Sequence, residues 1–130
     1  MPATQDRQDR YETAVARYIE AWNTGGEEAL AEAVAAAWAA DGGYTDPPAD
    51  VRGHAEIAAL ITAARERFPG PAFHLVTAVD GHHDTARFGW EQVDEAGRGA
   101  PGAGFDVITL DAEGRIRGVY GFLDRVPAAA

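Results

Sequence analysis

Apolar residues in the first half of the chain recur three or four positions apart, the spacing at which side chains share one face of a helix. This pattern predicts three amphipathic helices, the second over Glu27–Ala39 and the third beginning near Gly53 and His54. The apolar stripes consist of Tyr11, Val15, Tyr18, Ile19 and Trp22, then Leu30, Val34 and Trp38, then Ile57, Leu60, Ile61, Ala64 and Phe68. The residues that end the helices are Gly25 and Gly26, Asp41 to Gly43, and Pro69 to Pro71.

The second half of the chain changes to short apolar runs that alternate with polar residues or stand between glycine and aspartate turns. The predicted strands are Phe73–Val79, Thr85–Val93, Ala103–Leu110 and Ile116–Leu123, with a short earlier strand at Tyr44–Asp46 before a turn at Pro47 and Pro48. Residues 80–84 and 111–114 are predicted hairpin turns, and 94–102 is a longer glycine-rich connection. Helices followed by an antiparallel meander indicate the α+β class, with helices covering one face of a bent sheet.

The chain has 130 residues, a length that fits a single domain over residues 1–130. We expect flexible tails at residues 1–8 and 126–130. No apolar run reaches the roughly 18 residues that a membrane helix needs, and the polar N-terminus lacks the apolar segment of a signal peptide. We therefore expect a cytoplasmic protein.

Net charge is −10, and all 11 basic residues are arginine. A chain this acidic repels nucleic acid and anionic membranes, so we expect neither as a partner. Because the chain has no lysine, serine or cysteine, Schiff-base chemistry and the familiar acyl-transfer nucleophiles are excluded. Proton transfer is the chemistry that the remaining side chains can perform.

The histidines do not form a metal-binding pattern. His82 and His83 are adjacent at a predicted hairpin tip, where we expect their side chains to point in opposite directions. His54 and His74 have no companion at metal-ligand spacing. The sequence therefore predicts no metal site.

Asp106 lies in a predicted strand whose two faces are both apolar. Alternation places it on the same face as Ile108 and Leu110. A buried carboxylate is costly unless it is paired, so Asp106 either forms an ion pair or stays protonated with a raised pKa. Arg87 on the neighbouring strand is the candidate ion-pair partner.

Two further polar residues stand out. Tyr18 lies in the apolar stripe of the first helix, where the ordinary role is core packing with the hydroxyl bonded to a backbone carbonyl. Asp46 precedes Pro47 and Pro48, and Asp-Pro is a common way to begin a turn. Each residue has a structural explanation beside a catalytic one, and convergence of both on Asp106 would favour the catalytic one.

Segments spread over nearly the whole chain resemble the ketosteroid isomerases and the wider SnoaL-like group of the NTF2-like superfamily. The resemblance lies in Ala16–Glu20, in Thr45–Pro47 with Arg52–Gly53 and Glu56–Ile57, and in Asp106–Val107 with Asp111 and Gly114–Ile116. It implies three helices packed on a strongly curved antiparallel sheet with a mixed edge, forming a cone around an apolar pocket. It also implies a homodimer that forms through the open face of the sheet.

The resemblance further implies roles for three residues. In ketosteroid isomerases the residue matching Asp46 is the general base, and those matching Tyr18 and Asp106 donate hydrogen bonds to the enolate oxygen. The implied activity is a cofactor-independent acid–base isomerisation of a small apolar carbonyl compound, or a related SnoaL-like cyclase or lyase reaction. The residues expected to line the pocket are Trp22, Trp38, Ile61, Phe88, Trp90, Val119 and Leu123.

The chain departs from the isomerases in the residues that support the oxyanion tyrosine. Those enzymes have further tyrosines there, and the matching positions in this chain are Trp38 and Ile61. Two alternatives therefore stay open: a non-catalytic protein that binds a small ligand or another protein, and an epoxide hydrolase of the limonene-epoxide-hydrolase type. The hydrolases have an Arg and an Asp two positions apart on a strand, whereas Gly89 stands two positions after Arg87.

Overall fold

Three helices form the first half of the chain. The computed structural model describes residues 3–94 and 102–125. The helices are α1 (Ala3–Asn23), α2 (Glu27–Ala37) and α3 (His54–Arg67), which confirms the number and order read from the apolar stripes. None of the helices in this part of the chain is long and apolar enough to cross a membrane.

The first helix begins earlier than its apolar stripe indicates. Residues 3–8, which the sequence suggested as a flexible tail, form the first turns of α1. The side-chain amides of Gln5 and Gln8 donate to Asp9 and Glu12, each one helical turn further on, and these bonds stabilise the polar end of the helix. The suggested tail at 126–130 lies outside the described residues, as does most of the connection at 94–102.

Seven strands form one sheet. They are β1 (Trp38–Asp46), β2 (Ala49–Arg52), β3 (Ala72–Leu75), β4 (Asp80–His82), β5 (Thr85–Val93), β6 (Ala103–Leu110) and β7 (Ile116–Arg125). The order across the sheet is β2-β1-β7-β6-β5-β3, and β4 also pairs with β5. Only β1 and β7 run parallel among these pairs. The antiparallel sheet with a mixed edge and the α+β class are therefore confirmed.

The core lies between the helices and one face of the sheet. The ring of Tyr18 on α1 packs against Trp38 of β1 and Phe88 of β5, with ring centroids 5.5 and 5.6 Å apart. Burial alternates along β6, so that Asp106 and Ile108 both face the helices. The carboxyl group of Asp106 is thus enclosed by the apolar core.

The strand β1 is longer than the sequence predicts. α2 ends at Ala37 and β1 begins with the next residue, so Asp41–Gly43 lie inside the strand and do not end the helix. Only glycine fits at position 42 of this strand. A Cβ there would lie 2.8 Å from the carbonyl oxygen of Ile116 and 2.9 Å from Cδ1 of Trp38, which is too close for a side chain. The glycines mark an irregularity in the pairing of β1 with β7.

The strand predicted over Phe73–Val79 is shorter in the structure. β3 ends at Leu75, and the hydroxyl of Thr77 then accepts a hydrogen bond from the amide of Gly89 at 2.7 Å. A side-chain oxygen thereby takes the place of a backbone carbonyl as the acceptor, and this ends the hydrogen-bonded pairing of β3 with β5. The chain rejoins the sheet in β4, and the predicted hairpin turn narrows to residues 83 and 84.

His82 and His83 do not point in opposite directions, as strand alternation had indicated. Their Nδ1 atoms are 3.2 Å apart. His83 has a φ of 51°, and this left-handed conformation breaks the alternation of an extended strand. Within residues 3–94 and 102–125, no group of three or more His, Asp or Glu side chains could hold a metal ion.

Candidate active site

Asp106 is the buried carboxyl group of the site. Its side chain is 3% exposed, on the face of β6 that alternation predicted. Oδ2 accepts a hydrogen bond from the hydroxyl of Tyr18 at 2.6 Å, and Oδ1 accepts one from Nε1 of Trp90 at 3.2 Å. Tyr18 and Asp106, two of the three residues that the sequence singled out, are therefore in direct contact.

Tyr18 packs in the core as its structural alternative predicted, but the bonding partners proposed for Tyr18 and Asp106 in that alternative are not the ones observed. The exposed side chain of Arg87 pairs with Asp80, with Nε 3.2 Å from Oδ2, and not with Asp106. Burial alternates along β5, so Arg87 lies on the face opposite to Phe88 and to the site. The hydroxyl of Tyr18 bonds to a carboxyl group and not to a backbone carbonyl. The arginine of the epoxide-hydrolase pattern therefore points away from Asp106.

Burial and hydrogen bonding act in opposite directions on Asp106. Removal from water raises its pKa, the bonds from Tyr18 and Trp90 lower it, and the result is a rise from 3.8 to about 6. The pKa of Tyr18 lies well above 10.0, first because of burial and then because of the charge of Asp106. Tyr18 therefore keeps its proton at neutral pH, whereas Asp106 changes its protonation state at a pH close to neutral.

Asp46 is the last residue of β1, in agreement with the short strand predicted at Tyr44–Asp46, and pairs with Ala49 across the turn of two prolines. Its Oδ2 accepts a hydrogen bond from the hydroxyl of Tyr44 at 2.6 Å. Its Oδ1 is buried and has no hydrogen-bond partner among the described residues. This oxygen is shielded from solvent because Asp46 shares its strand face with the buried Tyr44.

Tyr44 was not among the residues that the sequence singled out. Its ring lies 5.7 Å from that of Trp22, and burial, followed by the bond to Asp46, raises the pKa of its hydroxyl well above 10.0. The site therefore has a second phenol, although Trp38 and Ile61 replace the tyrosines expected from the family. The signal that could have found it is spacing, since a tyrosine two residues before Asp46 in a strand shares its face.

Gly121 lies against both aspartates of the site. It pairs with Asp106 in the ladder between β6 and β7. The Cβ that it lacks would lie 3.0 Å from Oδ1 of Asp106 and 3.2 Å from Cβ of Asp46. A side chain at position 121 would therefore press against both aspartates. The charge of Asp46 also adds to the rise in the pKa of Asp106.

The residues expected to line the pocket all lie in or against the core around this site. Trp22, Trp38, Ile61, Phe88, Trp90 and Val119 are buried in one apolar cluster, and Leu123 packs against it. A separate cavity of about 690 Å³ opens between α1 and the segment 75–79, and none of the three predicted catalytic residues lines it. Trp90 has a role beyond lining, because its indole donates to Asp106.

A family model described as the SnoaL-like domain matches residues 15–119 of this chain. The chain belongs to the SnoaL-like family. The matched span contains Tyr18, Asp46 and Asp106, and the resemblance to the SnoaL-like group is confirmed. No curated protein matches the chain.

Solved structures agree with this assignment. The SnoaL-like chain is similar to a presumed isomerase of the same family from Agrobacterium tumefaciens, with 40% identity, a TM-score of 0.83, and coverage of 89% of this chain and 98% of that one. It is also similar in fold to an NTF2-like protein of unknown function from Exiguobacterium sp. 255-15 (14% identity, 87% and 99% coverage, TM-score 0.66). A presumed polyketide cyclase from Sinorhizobium meliloti shares the fold as well (20% identity, 84% and 93% coverage, TM-score 0.63). The NTF2-like cone is therefore confirmed.

Proposed function

We propose that this SnoaL-like protein is a cofactor-independent isomerase, or a related lyase or cyclase, that moves a proton on a small apolar carbonyl compound. The observation that carries the proposal is that two aspartates, each bonded to a tyrosine hydroxyl, both lie against Gly121 within an apolar core. The presumed isomerase from A. tumefaciens, 40% identical to this chain, supports the same class of reaction.

Asp46 is the proposed general base. Tyr44 donates to its Oδ2 and so holds the carboxylate in place, which leaves the lone pairs of the buried Oδ1 free to accept a proton. The base takes a proton from the carbon beside the substrate carbonyl and returns it to a second carbon. Tyr44 acts through Asp46 and is a positioning residue.

Tyr18 and Asp106 are the proposed donors to the substrate oxygen. When the proton leaves carbon, its electron pair moves towards the carbonyl oxygen and forms an enolate. Tyr18, which keeps its proton at neutral pH, stabilises that oxygen by exchanging its bond to Asp106 for a bond to the substrate.

Asp106 can donate to the enolate only in its protonated form. Its pKa of about 6 makes proton uptake inexpensive near neutral pH. A negative charge that develops beside a carboxyl group raises the pKa of that group further. Formation of the enolate therefore favours the protonated, donating state of Asp106.

Turnover of a β,γ-unsaturated ketone tests the base. The product is a conjugated enone, and its ultraviolet absorbance gives the rate. We expect Asp46→Asn to lower kcat by about 10²- to 10⁴-fold, the usual contribution of a general base, while phenol, an enolate mimic, still binds. Asp80→Asn is the matched control, because Asp80 is exposed and pairs with Arg87 outside the site.

Binding of phenol tests the oxyanion donors. We expect the affinity of the wild-type protein to change with pH around the pKa of Asp106, and this dependence to be absent in Asp106→Leu. Phenol binding without turnover of any compound in a panel of enones and lactones would contradict the catalytic proposal and support the alternative of a ligand-binding protein.

A further inference from the structure

Two buried polar atoms of the site have no partner among the described residues: Nε1 of Trp22, a donor, and Oδ1 of Asp46, an acceptor. The side chain of Trp22 is only 6% exposed. Buried polar groups are almost always hydrogen-bonded in folded proteins, because an unpaired one loses its bonds to water without replacement. These two atoms therefore mark where a ligand can supply the missing hydrogen-bond partners.

Both oxygens of Asp106 and the other oxygen of Asp46 already accept hydrogen bonds. Asp106 accepts bonds from Tyr18 and Trp90, and Tyr44 donates its proton to the other oxygen of Asp46. These three hydrogen bonds leave Nε1 of Trp22 and Oδ1 of Asp46 without a partner among the described residues.

Trp22 lies against both halves of the site. Its ring centroid is 5.7 Å from that of Tyr44, the residue that holds Asp46. Its N–H also lowers the pKa of Tyr18, because an indole N–H directed at the tyrosine oxygen favours the ionised form, whereas burial raises that pKa. A ligand oxygen bonded to Trp22 would therefore lie next to the hydroxyl of Tyr18.

We propose that Trp22 and Asp46 together recognise a hydroxy ketone: Nε1 of Trp22 donates to the carbonyl oxygen, and a hydroxyl group of the same molecule donates to Oδ1 of Asp46. This inference rests on the proposed function, because it names the substrate class of the same site. In an α-hydroxy ketone the hydroxyl and the acidic C–H share one carbon. A single carboxylate oxygen can therefore accept a hydrogen bond from the hydroxyl in the bound state and then take the proton of the C–H.

The indole N–H signals report directly on this contact. The chain has three tryptophans, so a ¹H–¹⁵N spectrum can resolve each of them. Addition of 2-hydroxyacetophenone should shift the Trp22 signal downfield. The Trp38 signal is the internal control, because its Nε1 already donates to the carbonyl oxygen of Gly43 at 3.2 Å.

Affinities separate the two contacts. Trp22→Phe keeps an aromatic ring and removes the N–H, and we expect it to bind 2-hydroxyacetophenone about tenfold more weakly. Acetophenone, which lacks the hydroxyl, should bind the wild-type protein about tenfold more weakly than 2-hydroxyacetophenone. The affinity for 2-phenylethanol, which lacks the carbonyl, should be the same in the wild-type protein and in Trp22→Phe. Equal affinities would show that the substitution has not altered the shape of the binding site.

Three results would overturn the inference: no binding of 2-hydroxyacetophenone at millimolar concentration, an unmoved Trp22 signal at saturation, or equal affinities of the wild-type protein and Trp22→Phe. All of these measurements report binding. Loss of the proposed isomerase activity would show only in the turnover assay, so the failure of either proposal can be told from the failure of the other.

Discussion

Asp106 makes the stability of the protein depend on pH. Its pKa is raised from 3.8 to about 6 in the folded state, so between these values the folded chain holds a proton that the unfolded chain has lost. The stabilisation linked to that proton is complete below pH 3.8 and is lost as pH rises through 6. A shift of this size corresponds to about 3 kcal/mol.

Asp106→Asn tests this linkage, because asparagine does not titrate. Urea unfolding of both proteins from pH 4 to pH 7 gives the free energy of unfolding at each pH. The difference between them should change by about 2 kcal/mol across this range, with the variant gaining relative to the wild-type protein as pH rises. A constant difference would mean that Asp106 does not have a raised pKa.

Gly121 controls the distance between the two aspartates. In Gly121→Ala the added methyl group would lie 3.0 Å from Oδ1 of Asp106, so the carboxyl group must move and its bond from Trp90 weakens. We expect the pKa of Asp106 to rise above that in the wild-type protein, since the bond from Trp90 lowers this pKa by more than the charge of Asp46 raises it. Carbon-detected NMR titration of the carboxyl group measures the change.

Gly118→Ala on the same strand is the matched control for Gly121→Ala. The group that its Cβ would meet is the end of the Tyr120 side chain, at 3.0 Å from the hydroxyl oxygen. That side chain is 45% exposed and can move away. An equal pKa of Asp106 in Gly121→Ala and Gly118→Ala would contradict the role assigned to Gly121.

The sequence indicates some residues of the site and not others for a physical reason. Tyr18 and Asp106 were predictable because their polarity conflicts with apolar neighbours at helix or strand spacing. Tyr44 was missed because a tyrosine in a strand is ordinary, although the short strand predicted at Tyr44–Asp46 already places it on the same face as Asp46, to which it bonds. The contact of Trp90 with Asp106 depends on the orientation of its ring, which sequence spacing does not specify.

At the scale of elements, glycine was the source of the boundary errors. Asp41–Gly43 predict the end of a helix, yet they lie within β1, because close packing against β7 requires a residue without a side chain. The pattern of apolar residues determines which segments are helices and strands, whereas close contacts between distant segments decide where β1 begins and β3 ends. Periodicity carries no information about such contacts.

Two adjacent glycines of β1 allow this packing argument to be tested. A Cβ on Gly42 would lie 2.8 Å from the backbone oxygen of Ile116, which cannot move without disturbing β7. A Cβ on Gly43 would meet its nearest atom, the backbone oxygen of Val51, at an ordinary 3.5 Å. We expect Gly42→Ala to lower the free energy of unfolding by about 1–3 kcal/mol.

The control variant Gly43→Ala should change stability by less than about 0.5 kcal/mol or raise it, because alanine restricts the unfolded chain more than glycine does. Thermal and urea unfolding of both variants give the comparison. Equal losses of stability in Gly42→Ala and Gly43→Ala would show that the glycines serve backbone conformation generally and not the contact with Ile116.

At the scale of the whole molecule, the outer face of the sheet carries exposed aromatic side chains. Phe105 and Phe122 pair across β6 and β7 with their rings stacked 4.9 Å apart, and they are 39% and 50% exposed. Tyr120, also on β7, is 45% exposed. Contiguous apolar surface of this kind is typical of interfaces. In a chain with a net charge of −10 an uncharged patch is where a second copy can approach with the least repulsion.

We therefore propose a homodimer in which these faces meet around a twofold axis, so that each aromatic pair packs against its symmetry mate. Light scattering after size exclusion should give twice the mass of the chain for the wild-type protein and the mass of one chain for Phe122→Asp, because a buried, unpaired carboxylate is costly. Leu75→Asp is the control: Leu75 is 45% exposed but borders the cavity beside α1, so this variant should stay dimeric. A monomeric wild-type protein at high micromolar concentration would refute the dimer, and a dimeric Phe122→Asp would place its interface elsewhere.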